Sequence, residues 1–175
     1  FFNMISMKSI LIILSFYSCS LFAQPAIISH RDIFTPVVAT NGMVVTASPL
    51  ASKAGVEVLK KGGNAVDAAV TVGLVMAVTY PRAGNIGGGG FMLIDSVKSA
   101  GVVSIDYREK APEKSFRDMF LDQSGNPDYR LSQFSHRSVG VPGTLAGFAL
   151  ALEKYGTISL AEALKPAIKL AEEGF

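Results

Sequence analysis

Residues 64–79, with the sequence Asn-Ala-Val-Asp-Ala-Ala-Val-Thr-Val-Gly-Leu-Val-Met-Ala-Val-Thr, are the most informative stretch for the fold. Asn64 can cap a helix, and Asp67 follows three residues later, as in a variant of the capping box. The helix predicted from Ala65 to about Thr79 has almost no polar residues, which indicates burial on all sides. Because it is shorter than the ~20 residues that span a bilayer, we interpret it as a central core helix.

The flanking sequence predicts a mixed α+β chain. Upstream, Gly42–Ala47 is a strand candidate, and Ser48-Pro49 begins a helix that ends at Gly62-Gly63. Downstream, two short segments rich in β-branched and apolar residues are close enough in sequence to form a β-hairpin. Two more helices are predicted after them. Pro166 should split or kink the last helix. These downstream predictions are strands at Phe91–Ile94 and Val102–Tyr107, a short helical piece near Arg117–Leu121, and helices at Thr144–Tyr155 and Leu160–Glu173.

Composition excludes several classes of protein. The chain has 175 residues, of which 49% are hydrophobic and 17% charged, so it is not disordered as a whole. Its net charge of +2 comes from 16 dispersed basic and 14 acidic residues, which gives no support to nucleic-acid binding. One cysteine excludes a disulfide framework within the chain. The mean hydropathy of +0.37 is high for a soluble domain.

The N-terminal segment is typical of an export signal. Lys8 precedes an apolar run that ends in a plausible cleavage point after Ala23, so we assign residues 1–23 to upstream residues and a signal peptide. A transmembrane anchor is the alternative, but the apolar run is short and interrupted by serines. The sequence leaves open whether Cys19 is lipidated. Residues 24–41 read as a lead-in segment, and we expect an exported, periplasmic or secreted protein.

Most of the usual catalytic patterns are missing from the sequence. His30 and His136 are the only histidines and lie far apart, so a metal site is poorly supported. No serine lies in the Gly-x-Ser-x-Gly turn of a hydrolase. The four glycines Gly87–Gly90 follow a helix and precede a strand, the reverse of the order in a dinucleotide fingerprint. They either allow close backbone packing or line a pocket with backbone atoms.

Arg108 is the candidate binding residue. It follows a predicted strand, where the end of a sheet can hold a side chain rigidly. A guanidinium is suited to a carboxylate because it can donate two parallel, charge-assisted hydrogen bonds. The alternative is a structural ion pair at the surface, with Asp106 and Glu109 as local partners.

Four segments together resemble one known family. Their identity, order and spacing are similar to the N-terminal part of the large subunit of bacterial, exported γ-glutamyltranspeptidases (glutathione hydrolases). The resemblance extends over residues 42–175. The segments are Lys61-Gly-Gly-Asn-Ala-Val-Asp-Ala-Ala69, Gly84-Asn-Ile-Gly-Gly-Gly-Gly-Phe-Met92, Asp106-Tyr-Arg-Glu-Lys-Ala-Pro112 and Val141-Pro-Gly-Thr144.

The resemblance implies a fold, a reaction and a role for one residue. The fold would be the αββα sandwich of the N-terminal-nucleophile hydrolases, with only its N-terminal portion present. The precursor would cleave itself into two subunits, and the new N-terminal threonine of the small subunit would attack the γ-glutamyl amide of glutathione and related compounds. The γ-glutamyl group would then pass to water, an amino acid or a peptide, with no metal or organic cofactor. Arg108 would bind the substrate α-carboxylate.

The nucleophilic threonine has no candidate in this sequence. Thr71, Thr79, Thr144 and Thr157 lie in predicted helices or turns, so we expect a truncated large subunit that is inactive and prone to aggregate alone. Two alternatives remain: a related N-terminal-nucleophile acylase, such as a cephalosporin acylase, or a non-catalytic exported protein that binds carboxylates. The balance of hydrolysis and transfer, donor and acceptor preference and the oligomeric state are left open by the sequence.

Overall fold

The structure, a computed structural model, describes residues 36–96 and 101–175. The chain divides into two compact units, Phe1–Ala39 and Thr40–Phe175. Of the first unit, residues 36–39 are described; they are exposed and have no regular secondary structure. The predicted signal segment, Cys19, His30 and most of the lead-in segment lie outside the described residues.

The second unit contains helices and one hairpin. No helix within the described ranges combines the length and the apolar character that a membrane crossing requires. In chain order the elements are α1 (Pro49–Lys60), α2 (Ala65–Thr79), β1 (Phe91–Ile94), β2 (Val103–Asp106), α3 (Tyr129–Phe134), a short 3₁₀ helix (His136–Ser138), α4 (Thr144–Tyr155) and α5 (Leu160–Glu173).

Local sequence signals set the ends of α1 and α2. The Ser48 side chain accepts a hydrogen bond from the Ala51 amide and caps α1, which begins at Pro49. Gly62, with φ of +91°, reverses the chain after α1 in a conformation that favours glycine. Asn64 and Asp67 then form the predicted capping box, and α2 has the predicted bounds.

Helix α2 lies at the centre of the core. It packs most extensively against α1 and α5 and also contacts α4. Val70, Leu74 and Val75 are buried among apolar side chains of these helices. Ala65 and Ala69, in the first turns of the helix, are exposed. The prediction that α2 is buried on all sides is therefore wrong at these two positions.

The hairpin is confirmed, and its register divides its side chains between two faces. Strands β1 and β2 are antiparallel, with Phe91 opposite Asp106 and Met92 opposite Ile105. Met92 and Ile105 pack on the helical core. Phe91 and Asp106 lie on the opposite face and are exposed, because successive side chains of a strand alternate between faces.

Two predicted elements at the periphery are wrong. Residues 42–47 are not a strand, since no described strand pairs with them; instead the Thr46 hydroxyl donates to the Ser48 carbonyl oxygen at 2.7 Å. Residues 117–120 form turns rather than a helix, with the Leu121 amide bonded to the Asp118 carbonyl oxygen at 3.1 Å.

Pro166 does not split the last helix. Helix α5 continues from Leu160 to Glu173 with the proline inside it. The proline removes one amide donor, to the Glu162 carbonyl oxygen one turn earlier. Ala163 and Ala167 on either side are buried against the core, and their packing holds the helix together across the missing hydrogen bond.

Candidate functional site

Arg108 lies two residues beyond the end of β2, on the exposed face of the hairpin. The strand pairing continues past β2, because the Tyr107 amide donates to the Gly90 carbonyl oxygen at 3.0 Å. The Lys110 and Val141 backbones then exchange hydrogen bonds of 3.1 and 2.8 Å. The backbone of Arg108 is therefore held on both sides, while its side chain is 62% exposed.

Two acidic neighbours contact Arg108 in different ways. The Arg108 Nε lies 3.3 Å from the Glu109 Oε2, so this pair is an ion pair. Its own backbone N–H and, to a smaller extent, the Arg108 guanidinium hold the pKa of the Glu109 carboxyl below its ordinary value, against the opposing effect of desolvation. The Asp106 carboxylate instead accepts a hydrogen bond of 3.0 Å from the Arg108 backbone N–H. Both acids are local partners, as the alternative of a surface ion pair expects, but of the two only Glu109 pairs with the guanidinium.

An aromatic ring completes the surroundings of the guanidinium. The Arg108 Cζ lies 5.8 Å from the centroid of the Phe91 ring. This is within the range of a cation–π contact. The guanidinium therefore has a carboxylate at its Nε and lies over an aromatic ring.

Glycines allow other segments to approach the Arg108 backbone. A Cβ at Gly89 would lie 2.5 Å from the Tyr107 carbonyl oxygen and 2.7 Å from the Arg108 Cα. On the other side, a Cβ at Gly143 would overlap the same carbonyl, and one at Gly147 would overlap the Tyr107 ring. The interpretation of the glycine run as a site of close backbone packing therefore holds at Gly89. Because Gly89 has no side chain, the backbone of residues 107–109 can pass directly beside it.

Hydrogen bonds join the glycine-rich segment to the start of α4. The Gly88 carbonyl oxygen accepts from the Gly143 and Thr144 amides at 2.8 and 3.1 Å. The Thr144 hydroxyl donates to the Asn85 side-chain oxygen at 2.8 Å. Three of the four sequence segments that carry the family resemblance therefore meet around Arg108.

The fourth segment forms a separate cluster at the other end of α2. The carboxylate of Asp67 is fully buried and accepts four hydrogen bonds. Burial acts to raise the pKa of this carboxyl, but the bonds from Thr157, Asn64 and Ile158 outweigh it and hold the pKa below its ordinary value. Asn64 adds a bond of 2.7 Å from its side-chain nitrogen to the Tyr155 carbonyl oxygen. This cluster fixes the connection between α4 and α5 and lies away from Arg108.

A shallow cleft opens beside Arg108. It has a volume of about 280 Å³, and its lining includes Tyr107, Arg108, Lys110, Pro142 and Ala146. One wall comes from the end of the hairpin and the other from the start of α4. The cleft is large enough for an amino-acid-sized group; its charged lining residues are Arg108, Lys110 and Asp106, and its opposite wall is mainly apolar.

The four threonines that the sequence analysis discounted as nucleophiles are either hydrogen-bonded within the fold or buried in it. The Thr157 hydroxyl donates to Asp67 at 2.6 Å and the Thr79 hydroxyl to the Val75 carbonyl oxygen at 3.1 Å. Thr144 donates to Asn85, as described above. The Thr71 side chain is fully buried in α2. None of these four hydroxyls is presented to the cleft beside Arg108.

Sequence reasoning found Arg108 and its acidic partner but missed Phe91. The sequence predicted the hairpin but not its register, which brings residue 91 opposite residue 106 and places residue 108 diagonally across on the same face. Long and aromatic side chains reach across such a diagonal. The long-range role of Asp67 was also missed, since its partners Thr157 and Ile158 are 90 or more residues away.

Comparison with known proteins gives matches over most of this chain. The sequence pattern of the family described as Gamma-glutamyltranspeptidase matches residues 51–175. The "Glutathione hydrolase proenzyme" of Escherichia coli (strain K12) is 58% identical over 146 residues, which are 83% of this chain and 25% of that protein. An "Acylase ACY 1 proenzyme" of Pseudomonas sp. (strain V22) is 41% identical over 146 residues, with 80% of this chain and 26% of that protein covered.

The fold is shared with a solved relative. The crystal structure of Helicobacter pylori gamma-glutamyltranspeptidase matches with a TM-score of 0.74 and 49% identity, over 80% of this chain and 40% of that one. This likeness confirms the predicted N-terminal-nucleophile hydrolase fold class. The chain spans about a quarter of the length of the curated relatives it matches. On the family pattern, the relatives and the fold together, the chain belongs to the γ-glutamyltranspeptidase family.

Proposed function

We propose that the complete protein containing this chain is a γ-glutamyltranspeptidase that cleaves the γ-glutamyl amide of glutathione and related compounds. The γ-glutamyl group is transferred to water, an amino acid or a peptide. The observation that carries the proposal is the position of Arg108, on a backbone fixed from both sides and at the edge of a cleft about 280 Å³ in volume.

Arg108 serves in this proposal to bind and orient the donor. Glu109 occupies the Nε, and among the described residues no acceptor is bonded to the two terminal nitrogens of the guanidinium. These nitrogens can donate two parallel hydrogen bonds to the α-carboxylate of a γ-glutamyl group. Holding that end of the substrate positions the γ-carbonyl, some four bonds away, for attack.

The remaining chemistry comes from residues outside this chain. We propose that a threonine nucleophile is exposed when the precursor cleaves itself, and that a small subunit completes the site. Residues 42–175 supply the N-terminal part of the large subunit, residues 24–41 a lead-in segment, and residues 1–23 a signal for export to the periplasm or beyond. No metal or organic cofactor is needed for this reaction, and the 175-residue chain alone is expected to be inactive.

Replacement of Arg108 in the complete protein tests the proposal. Arg108→Gln removes two hydrogen bonds to a charged group, each worth about 1.5–3 kcal/mol, so kcat/KM for a γ-glutamyl anilide should fall on the order of 10²-fold or more. Arg117→Gln is the matched control, because Arg117 is also exposed and paired with the adjacent acid, Asp118, at 3.6 Å. Normal kcat/KM in Arg108→Gln would remove Arg108 from the site.

An acylase is the second candidate, on the 41% identity to the Pseudomonas acylase proenzyme. It would use the same fold and nucleophile chemistry on a different amide. Assaying the complete protein with glutathione and with a cephalosporin that carries an acyl side chain separates the two candidates. A protein that binds glutamate but cleaves neither substrate would instead be a non-catalytic carboxylate-binding protein.

A further inference from the structure

We propose that Phe91 is a positioning residue for the substrate-binding guanidinium of Arg108. This inference rests on the proposed function, since it concerns how Arg108 binds the α-carboxylate. The Arg108 Cζ lies 5.8 Å from the centre of the Phe91 ring. Cations are attracted to the face of an aromatic ring at this distance by its quadrupole.

The pairing of the two strands makes this contact a consequence of the fold. Phe91 is the first residue of β1 and lies opposite Asp106, the last residue of β2. Arg108 is two residues beyond Asp106, so it lies on the same face as Phe91 and diagonally across from it. The register is extended past β2 by the bond from the Tyr107 amide to the Gly90 carbonyl oxygen. The register therefore places the two side chains within reach of each other on one face of the hairpin.

Phe91 and Glu109 restrict the guanidinium in complementary ways. Glu109 accepts from the Nε and holds one edge of the group. The Phe91 ring lies under the group, with the Cζ 5.8 Å from the ring centroid. A guanidinium held at one edge and attracted to a ring has fewer orientations to lose when it binds a carboxylate, and lost side-chain freedom is a major cost of binding.

Exposure of the ring also favours a role other than core packing. Phe91 is 61% exposed, whereas Met92 beside it packs on the core. Leu93 is the matched residue for comparison, because it is on the same strand and the same face and is 74% exposed. Its cross-strand partner is Ser104, two residues further from Arg108 than Asp106 is.

The test is a double-mutant cycle in the complete, processed protein with a γ-glutamyl anilide as donor. Phe91→Leu removes the ring and keeps an apolar side chain. We expect KM to rise about threefold to tenfold with kcat changed less than about twofold, because the lost contact acts on binding of the α-carboxylate in ground and transition states alike. Phe91→Tyr keeps the ring and should restore KM, and Leu93→Ala should leave KM unchanged.

The cycle with Arg108→Gln separates positioning from a general structural effect. In the Arg108→Gln background, Phe91→Leu should have no further effect on KM, since the group that the ring positions is gone. An equal rise in KM in both backgrounds, or an unchanged KM in Phe91→Leu alone, would overturn the inference while leaving the proposed function in place. An Arg108→Gln variant with normal kinetics would overturn the proposed binding site, and the inference with it.

Discussion

Replacement of Asp67 by asparagine should loosen the connection between α4 and α5. The Asp67 carboxylate is fully buried and accepts from the amides of Asn64, Thr157 and Ile158 at 2.8, 2.7 and 3.2 Å, and from the Thr157 hydroxyl at 2.6 Å. Asparagine keeps one acceptor oxygen and places an NH₂ group against the other donors. The Thr157 hydroxyl can rotate and accept from that group, but the Asn64 amide cannot.

The cost follows from these contacts. Hydrogen bonds to a charged acceptor contribute about 1.5–3 kcal/mol, and a buried donor without a partner costs about 1–3 kcal/mol. Asp67→Asn leaves the Asn64 amide without an acceptor, and the remaining hydrogen bonds go to a neutral rather than a charged group. Together these changes should lower the free energy of unfolding by about 3 kcal/mol. Amide hydrogens at residues 157 and 158 should then exchange about 100-fold faster, since about 1.4 kcal/mol corresponds to a factor of ten.

Hydrogen exchange measured by mass spectrometry on peptides around residues 152–160 is the assay. Asp128→Asn is the control, because the Asp128 carboxylate also accepts from two amides, at 2.8 and 3.1 Å, but caps the start of α3 at the surface. Asparagine is an equally good cap, so this variant should be nearly neutral. Unchanged exchange at residues 157 and 158 in Asp67→Asn would refute the role assigned to the buried carboxylate.

The stabilising effect of Asp67 should also depend on pH. Its pKa is lower in the folded protein than in the unfolded chain, so the carboxylate stabilises the fold fully above the ordinary pKa of about 4. That contribution is lost as the pH falls through the lower, folded-state pKa. The difference in free energy of unfolding between wild type and Asp67→Asn should therefore be constant near neutral pH and shrink below about pH 4.

Two further predictions concern packing. Gly89→Ala should raise KM for γ-glutamyl donors and lower the free energy of unfolding, because the added methyl group meets the backbone of Tyr107 and Arg108. Gly87→Ala should be tolerated, since nothing lies within 4 Å of its added Cβ, and equal kinetics for the two variants would contradict the packing argument. Pro166→Ala should raise the free energy of unfolding by about 3 kcal/mol, because the new amide can bond within α5. A lower melting temperature in that variant would show that the proline is favourable where it stands.

Local signals in the sequence predicted the helical part of the fold closely. The predicted capping box of Asn64 and Asp67 forms at the start of α2, and the structure shows a second one, of Ser159 and Glu162, at the start of α5. These signals depend on residues three positions apart, so the sequence alone contains the necessary information. The strand predicted at residues 42–47 fails for the opposite reason, since a strand needs a partner that composition does not reveal.

Sequence reasoning proposed Arg108 as the main residue of the candidate site, but it did not predict the surroundings of Arg108. The sequence motif around Arg108 identified a carboxylate-binding candidate. The close approach of Gly89 and Gly143 to the Tyr107 carbonyl depends on how three distant segments pack, which no local pattern specifies. Phe91 lies between these cases, because the hairpin was predicted but its register, which places Phe91 beside Arg108, comes from the structure.

A crystal structure of the complete protein with L-glutamate bound tests the central claim most directly. We predict that both oxygens of the glutamate α-carboxylate lie about 2.8 Å from the two terminal nitrogens of Arg108. Glu109 should remain on the Nε, and the γ-carboxyl should extend away from Arg108. An α-carboxylate bound by other residues, with Arg108 directed to solvent, would contradict the role proposed for this chain.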